Sequence, residues 1–369
     1  MRVGINARTF SVDEPGGAVQ AAMTLTKHLA SRPDIDLVLF GHGSIREGFP
    51  TVPIEDDLFP VSSQVYGLVW ERSVLPRLAA RHGIDVLYCP NGNGPLHEIS
   101  CPVVMCIADV NAQRGLSSPV QRAYRKATVP RAAAVAGALV TISEFSKGEI
   151  VEVMGVPPDK IETVYYGIDP LFRSEESDDP IDLPDEYVLF VGAMNPRKNI
   201  ERLVRAFDRL KRRTDLPHEL VLVGPQNKAV FRKLDVEFAD GVVLPGFVSK
   251  AELKYAYDNA SLFAYPSLYE GLGLPPVEAM ASGTPVLASN VTSLPEVIGD
   301  AGELVDPTNV EAIARGMERV LTDRAHCDRL VQRGRERAER FTWERTTDEF
   351  VHLFENIVYD DTQSLSTPI

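Results

Sequence analysis

The alternation of short apolar segments with helical stretches, in the first half of the chain, most limits the folds open to it. Stretches such as 19–29 and 70–80 place apolar residues at helical spacing between the apolar runs. This βα alternation predicts a parallel sheet covered by helices. The strands predicted here are residues 2–5, 37–40, 86–88, 103–107, 139–142 and 164–166.

A second βα series follows a polar, acidic segment with two prolines, and a chain of 369 residues favours two domains. We therefore predict an α/β protein with two Rossmann-like, doubly wound domains that face an interdomain cleft. Open α/β sheets bind ligands at the carboxyl ends of their strands, so the cleft is the expected site. The strands predicted in the second half are residues 187–191, 220–223, 242–244, 262–265 and 285–288.

The expected division places an N-terminal domain at 1–170, an acidic linker at 171–186 and a C-terminal domain at 187–342. The last apolar pattern, residues 343–359, predicts a helix, which we expect to pack back onto the first domain.

The charge and cysteine content exclude several classes of protein. The net charge of −14 is concentrated in the linker and the C-terminal tail, which argues against nucleic acid as a partner. The four cysteines lack metal-ligand spacing and the start lacks a signal-peptide pattern, so we expect a cytoplasmic protein with free thiols.

One helical segment leaves a membrane role open. Arg122, Arg125 and Lys126 share a face at helical spacing, and such a face can contact an anionic membrane surface or a lipid-linked acceptor. A solvated helix face is the preferred interpretation. Peripheral contact with the inner face of a membrane is the alternative.

The segment YPSLYEGLGLPPVEAMASG, residues 265–283, is the most informative about chemistry. Pro275 and Pro276 suit the first positions of a helix, where a missing N–H is tolerated, and Gly283 suits the residue just past its end. Glu278 is then expected in the first helical turn, and Glu270 on the loop before the helix.

The two glycines of this loop, Gly271 and Gly273, leave its backbone accessible. Backbone N–H groups next to a helix N-terminus form an anion site. A phosphate site flanked by two carboxylates that accept hydrogen bonds from hydroxyl groups is what a nucleotide-sugar requires.

These motifs resemble the family-4 glycosyltransferases, which are retaining enzymes with the two-domain GT-B fold. Glu270 and Glu278 match the family's two glutamates separated by seven residues. The matches in the second half are highly specific, and those in the first half are weaker. The matching segments are GGAVQ (16–20), TISEFSK (141–147), YYGID (165–169), VGAMNPRKN (191–199), LPGFVS (244–249), AYPSLYEGLGLPPVEAMASGTPVLAS (264–289) and LPEVIGDAGELVDP (294–307).

The resemblance implies a role for each matching residue. Glu270 would contact the donor sugar at the reacting centre, and Arg197 and Lys198 would grip the diphosphate and neutralise the leaving group. Glu278 would bind the ribose hydroxyls. The remaining donor contacts are implied for Gly16, Gly17, Phe247, Val248, Gly271, Gly273 and Leu274.

One position departs from the family pattern. The family often has a His–Asp pair after the strand at 103–107, whereas this chain has Ala108 and Asp109. Asp109 is kept as a candidate catalytic residue. The missing histidine supports an alternative, a nucleotide-sugar-binding protein that has lost catalysis.

The predicted function is a metal-independent, retaining hexosyltransferase. It would move a mannose- or glucose-like sugar from a nucleotide-diphosphate sugar to a glycan or lipid-linked acceptor, without a further cofactor. A GT-B sugar-nucleotide epimerase is a further alternative. A dinucleotide-dependent oxidoreductase is disfavoured, because no G-x-G-x-x-G follows the first predicted strand.

Overall fold

The chain forms two compact units. The structure, a computed structural model, describes residues 1–11, 16–56, 64–114, 119–174, 179–224 and 241–366. The first unit comprises Met1–Tyr166 and the C-terminal segment from Trp343, and the second comprises Gly167–Thr342. The boundary thus lies a few residues before the predicted one. The reason is that the Ile168 N–H donates to the Phe341 carbonyl of the second unit at 2.9 Å and Asp169 pairs with Lys250. Phe172, placed in the predicted linker, is likewise buried against Tyr257 of the second unit, with ring centroids 5.6 Å apart.

The first unit is built on a seven-stranded sheet with the order β3-β2-β1-β4-β5-β6-β7. Every strand pairs in parallel with its neighbours, and the order reverses beside β1, as in a doubly wound fold. The strands are β1 Arg2–Asn6, β2 Asp36–Gly41, β3 Ile54–Asp56, β4 Val86–Cys89, β5 Val103–Cys106, β6 Ala138–Thr141 and β7 Ile161–Thr163.

Helices cover this sheet and bury the apolar residues of its strands. Trp70 lies in a π-helical turn, Trp70–Val74, and packs fully buried into the core. The α-helices are α1 Gly17–Ala30, α2 Gln64–Val69, α3 Leu75–Arg81, α4 Pro119–Val135 and α5 Glu144–Met154.

The second unit is built on a six-stranded parallel sheet with the order β10-β9-β8-β11-β12-β13. Its strands are β8 Tyr187–Val191, β9 Glu219–Val223, β10 Val242–Gly246, β11 Leu262–Tyr265, β12 Val286–Ser289 and β13 Glu303–Val305. Its helices are α6 Ile200–Arg213, α7 Lys250–Asp258, α8 Leu274–Ser282, α9 Leu294–Ile298, α10 Val310–Thr322 and α11 Arg324–Ala338.

The final helix, α12 Trp343–Ser366, belongs to the first unit. Its Phe350 and Phe354 lie against Tyr88 of β4, with ring centroids 5.2 and 5.7 Å apart. Trp343 stacks on Tyr166 at 5.6 Å. An apolar stripe of this helix therefore completes the core of the first unit.

Two Rossmann-like parallel sheets confirm the predicted fold class, and three strands differ from the prediction. Residues 164–166, predicted as a strand, lie beyond β7, because Tyr166 packs on Trp343 and the Tyr165 carbonyl accepts from Thr346 Oγ1 at 2.7 Å. Strands β3 and β13 were not predicted, because they are three residues each and lack a clear apolar pattern. In the described parts of the chain, no helix is long and apolar enough to cross a membrane.

Candidate active site

Arg197 and Lys198 lie in a short 3₁₀ turn, Pro196–Lys198, between the end of β8 and the start of α6. Asn199 follows with a left-handed φ of 62°. Its side-chain amide donates to the carbonyls of Pro266 and Pro307 at 2.8 and 2.7 Å. Asn199 therefore ties the basic turn to the loop after β11, a tertiary role beyond the helix cap that its position suggests.

Glu270 joins the two cations in one buried cluster. Arg197 Nη1 donates to Glu270 Oε2 at 2.8 Å, and Lys198 Nζ donates to Glu270 Oε1 at 2.7 Å. The Glu270 side chain is 7% exposed, that of Lys198 10% and that of Arg197 32%. Arg197 is thus the member of the cluster that solvent and ligands reach most easily.

Tyr265, at the end of β11, completes this cluster and was missed by the sequence analysis. Lys198 Nζ donates to the Tyr265 hydroxyl and lies 4.7 Å from the centre of the tyrosine ring. Tyr265 is the last residue of a continuous apolar strand, so its sequence context indicates core packing. Only the hydrogen bond from Lys198 shows that the Tyr265 hydroxyl belongs to the cluster.

The charges within the cluster set its protonation. Burial raises the pKa of Glu270, but the charges of Lys198 and Arg197 outweigh burial and hold it below the ordinary value of 4.5. Burial lowers the pKa of Lys198, and the charge of Glu270 opposes that shift. Glu270 is therefore ionised at neutral pH and balances cations that would also attract a diphosphate.

Glu278 lies on α8 in a different environment. Helix α8 begins at Leu274, after Gly273 with a φ of 89°, and ends before Gly283 as predicted. Glu278 is its fifth residue, so the predicted position in the first turn was wrong: the helix starts one residue before the proline pair. Its Oε2 accepts from the Tyr257 hydroxyl at 3.1 Å.

The pKa of Glu278 is raised to about 7, chiefly by burial. The hydrogen bond from Tyr257 and the positive charge of Lys250 oppose this rise, whereas the charge of Asp169 adds to it. Lys250 and Asp169 themselves form an ion pair at 2.6 Å. The two motif glutamates thus differ in protonation: Glu270 is ionised, and Glu278 titrates near neutral pH.

The backbone groups predicted to contact the donor lie on two loops of the second unit. Gly271 and Gly273 precede α8 and Leu274 is its first residue, so their N–H groups lie at its N-terminus. Phe247 and Val248 follow β10, and Phe247 is 86% exposed.

The remaining predicted residues lie in the first unit. Gly16 is the N-cap residue of α1 and Gly17 is its first residue. Asp109 follows β5, and its Oδ1 accepts from the Asn111 backbone N–H at 2.9 Å. Their proximity to Glu270 across the expected cleft stays a prediction.

A second buried polar cluster, in the first unit, was missed by the sequence analysis. Glu71 is fully buried, accepts from the Tyr124 hydroxyl at 2.8 Å and lies 3.7 Å from Arg8. Burial raises its pKa to about 7. The neighbouring Arg125, expected on a solvated or membrane-facing surface, donates to the Asn91 carbonyl at 3.2 Å, so one member of the predicted basic face is engaged within the protein.

Sequence profiles of two families match the chain. Glycosyl transferases group 1 matches residues 173–337, and Glycosyltransferase Family 4 matches residues 15–171. Across the described ranges, no three His, Cys, Asp or Glu side chains are grouped so that they could hold a metal ion.

Relatives with curated names include mannosyltransferases. The chain is 35% identical to the O-antigen chain mannosyltransferase B of Escherichia coli over 227 residues, which cover 58% of this chain and 60% of the relative. It is 33% identical to the MMP α-(1→4)-mannosyltransferase of Mycolicibacterium hassiacum over 229 residues, 60% of this chain and 54% of that protein. The chain thus spans less than two thirds of either relative.

Solved structures share the fold over nearly the whole chain. Sucrose-phosphate synthase from Thermosynechococcus elongatus superposes with a TM-score of 0.75 at 19% identity, covering 98% of this chain and 100% of that one. HepE from Anabaena, in complex with UDP and glucose, gives a TM-score of 0.73 at 17% identity, covering 96% and 100%. The two sequence profiles place the chain in the family-4, group 1 glycosyltransferases, and these structures show that it has the GT-B fold.

Proposed function

We propose that this protein is a retaining hexosyltransferase that uses a nucleotide-diphosphate sugar, with Glu270, Arg197 and Lys198 as the catalytic group. The observation that carries the proposal is the buried cluster in which one carboxylate accepts from both cations at 2.8 and 2.7 Å. The cluster lies beside the glycine loop that opens α8, where backbone N–H groups favour an anion. The named mannosyltransferase relatives favour mannose as the transferred sugar.

The proposed chemistry uses the cations at the leaving group. As the bond between the sugar carbon and the diphosphate oxygen breaks, the electron pair passes to the diphosphate, whose negative charge grows. Arg197 and Lys198 stabilise that charge more strongly in the transition state than in the ground state, which accelerates the reaction. The acceptor oxygen bonds to the sugar carbon on the face that the diphosphate leaves, and the acceptor proton leaves with the diphosphate.

Glu270 orients the donor sugar in this proposal. Its carboxylate is ionised at neutral pH and accepts hydrogen bonds from sugar hydroxyls. Glu278 accepts from the ribose hydroxyls, while the loop of Phe247 and Val248 contacts the base. Gly16, Gly17 and Asp109 of the first unit are proposed to contact the donor as well. Because the leaving group is neutralised by side chains and backbone, the reaction is proposed to proceed without a metal ion.

The test is a thermal-shift panel of nucleotide-sugars on the full chain, followed by transfer assays with the donor that binds. A ligand that binds only the folded state raises the melting temperature by mass action. We expect one nucleotide-mannose or nucleotide-glucose to do so and to support transfer in the presence of EDTA. NMR of the product should show the anomeric configuration of the donor.

Each other outcome contradicts one part of the proposal. Binding with neither transfer to an acceptor nor slow hydrolysis of the donor would identify a binding protein. Epimerised donor formed without an acceptor would identify an epimerase. Transfer that stops with EDTA would disprove metal independence.

We also propose that the first unit contacts a membrane that carries the acceptor. Leu68 and Val69 on α2 are 39% and 50% exposed, and Lys126 on the neighbouring α4 is exposed. Apolar side chains next to a cation suit the surface of an anionic bilayer. The protein should sediment with anionic vesicles and not with neutral ones, and Leu68→Glu should abolish this. Equal sedimentation of the variant would contradict the proposal.

A further inference from the structure

We propose that Thr292 and Ser293, between β12 and α9, are positioning residues that set the place of Glu270. The inference rests on the proposed transfer function and concerns a segment outside the predicted site residues. It is carried by hydrogen bonds between these two hydroxyls and the backbone of the loop that contains Glu270.

The two hydroxyls hold both polar backbone groups of Glu270. Its N–H donates to Thr292 Oγ1 at 3.3 Å, and its carbonyl accepts from Ser293 Oγ at 3.1 Å. Ser293 Oγ also lies 3.1 Å from the Leu272 carbonyl, and Ser293 is fully buried. Adjacent side chains thus fix the peptide units on each side of the Glu270 Cα.

Ser293 is used differently from what its local sequence suggests. Ser293 and Glu296 form the S-x-x-E pattern of a capping box. In the described structure, however, Ser293 makes no side-chain capping bond to α9. Its hydroxyl instead donates to the carbonyls of Glu270 and Leu272. It therefore stabilises the loop that contains Glu270 rather than helix α9.

Thr292 adopts a backbone conformation that β-branched residues rarely take. Its φ is 61°, and Asn199 is the only other non-glycine residue of positive φ within the described ranges. Asn199 directly follows Lys198, so both unusual backbones adjoin the catalytic cluster. Left-handed conformations at non-glycine residues persist where the surroundings enforce them, and they are concentrated at functional sites.

The next residue connects this segment to the end of the glycine loop. Leu294 is fully buried, and a Cβ at Gly273 would lie 2.7 Å from its Cδ2. Residues 292–294 therefore contact the loop at Glu270, Leu272 and Gly273. A shift of this segment would move the carboxylate relative to Arg197 and Lys198.

The experiment compares Thr292→Val, which removes the hydroxyl, with Thr292→Ser, which retains it. Thr292→Val should lower kcat by on the order of tenfold or more, because a misplacement of less than 1 Å suffices for such a loss. Its affinity for the nucleoside diphosphate, which lacks the sugar, should not fall. Thr292→Ser should retain most of the activity, and Thr322→Val, on α10, is the matched control.

Two outcomes would overturn the inference. One is a Thr292→Val protein with unchanged kcat, and the other is a Thr292→Ser protein as impaired as Thr292→Val, which would indicate packing rather than the hydroxyl. If Thr292→Val fails to fold, Ser293→Ala replaces it, with the same expected loss of kcat.

A second measurement is independent of activity. Hydrogen exchange of the Glu270 amide should be faster in Thr292→Val than in wild type, and unchanged exchange would refute the positioning role. If wild type transfers no sugar, the proposed function fails, whereas this exchange result still decides whether the hydroxyls hold the loop.

Discussion

Lys198 and Glu270 form a buried ion pair, with Nζ 2.7 Å from Oε1, inside the second unit. The other carboxylate oxygen accepts from Arg197 at 2.8 Å, so one acid pairs with two cations. Burial of charge is costly unless the charge is paired, and this cluster meets that requirement within the chain itself. A diphosphate would compete with Glu270 for the same two cations.

This competition gives the first prediction. Glu270→Gln should abolish transfer and yet tighten the binding of a free nucleoside diphosphate by about tenfold, which corresponds to about 1.4 kcal/mol. The reason is that Arg197 and Lys198 lose their internal counter-ion. Isothermal titration calorimetry measures the affinity. Glu311→Gln, at a partly exposed carboxylate that also bridges arginines, is the control and should change neither quantity. Weaker binding by Glu270→Gln would contradict the counter-ion role.

Removing the other partner should affect stability as well as transfer. Lys198→Met leaves the buried Glu270 paired with Arg197 alone, and we expect a loss of about 3 kcal/mol in the free energy of unfolding. Transfer should fall by about 100-fold or more, since a donor aimed at the leaving group is lost. Urea unfolding and initial rates are the measurements.

A double variant tests whether the lost stability comes from the ion pair. Lys198→Met combined with Glu270→Gln should recover part of the lost stability, because the buried carboxylate whose Oε1 has lost its donor is replaced by a neutral amide. Arg205→Met, at a residue whose side chain is 62% exposed, should stay within about 0.5 kcal/mol of wild type. Additive losses in the double variant would show that the ion pair is not the cause.

Glu278 predicts how stability depends on pH. Its pKa is about 7 in the folded protein against an ordinary 4.5, so the unfolded chain loses this proton first as the pH rises. Between these values the folded state binds more protons, and stability therefore falls with rising pH. Glu278→Gln should flatten the curve of unfolding free energy measured between about pH 5 and pH 8.

Donor binding should show the opposite trend with pH. The ionised carboxylate is the better acceptor for ribose hydroxyls, so affinity for the nucleotide-sugar should rise as the pH passes about 7. Glu71→Gln is the matched control, because burial raises the pKa of Glu71 to about 7 in the first unit. It should flatten the stability curve in the same way and leave the pH dependence of binding unchanged. If Glu278→Gln keeps the wild-type pH dependence of binding, the ribose role is wrong.

Two glycines with the same φ isolate the packing of the loop that contains Glu270. Gly273 and Gly241 both have a φ of 89°, but a Cβ at Gly273 would meet Leu294 at 2.7 Å, whereas at Gly241 it would meet open space. Each substitution by alanine costs about 1–2 kcal/mol for the left-handed backbone. Gly273→Ala should cost more than this and also weaken donor binding. Equal melting temperatures for the two variants would show that the Leu294 side chain moves aside without a measurable loss of stability.

Much of the fold could be predicted because its signals are local. The strand at Leu262–Tyr265 and the glycine that ends α8 follow from apolar runs and from backbone preferences that a few neighbouring residues express. Short strands such as Glu303–Val305 could not be predicted, because three residues carry little apolar pattern and tertiary contacts decide their state. The same holds for residues 164–166, whose apolar side chains are buried by the C-terminal helix instead of the sheet.

The sequence by itself determined the two α/β domains, the pair Glu270 and Glu278, and the basic residues Arg197 and Lys198, since each has a pattern of near neighbours. Only the tertiary structure decided which of them touch. It placed Tyr265 against Lys198, directed Ser293 to the Glu270 loop and gave the two glutamates pKa values on opposite sides of the ordinary one. The physical reason is that burial and charge pairing depend on residues up to 73 positions apart, which meet only when the parallel strands assemble.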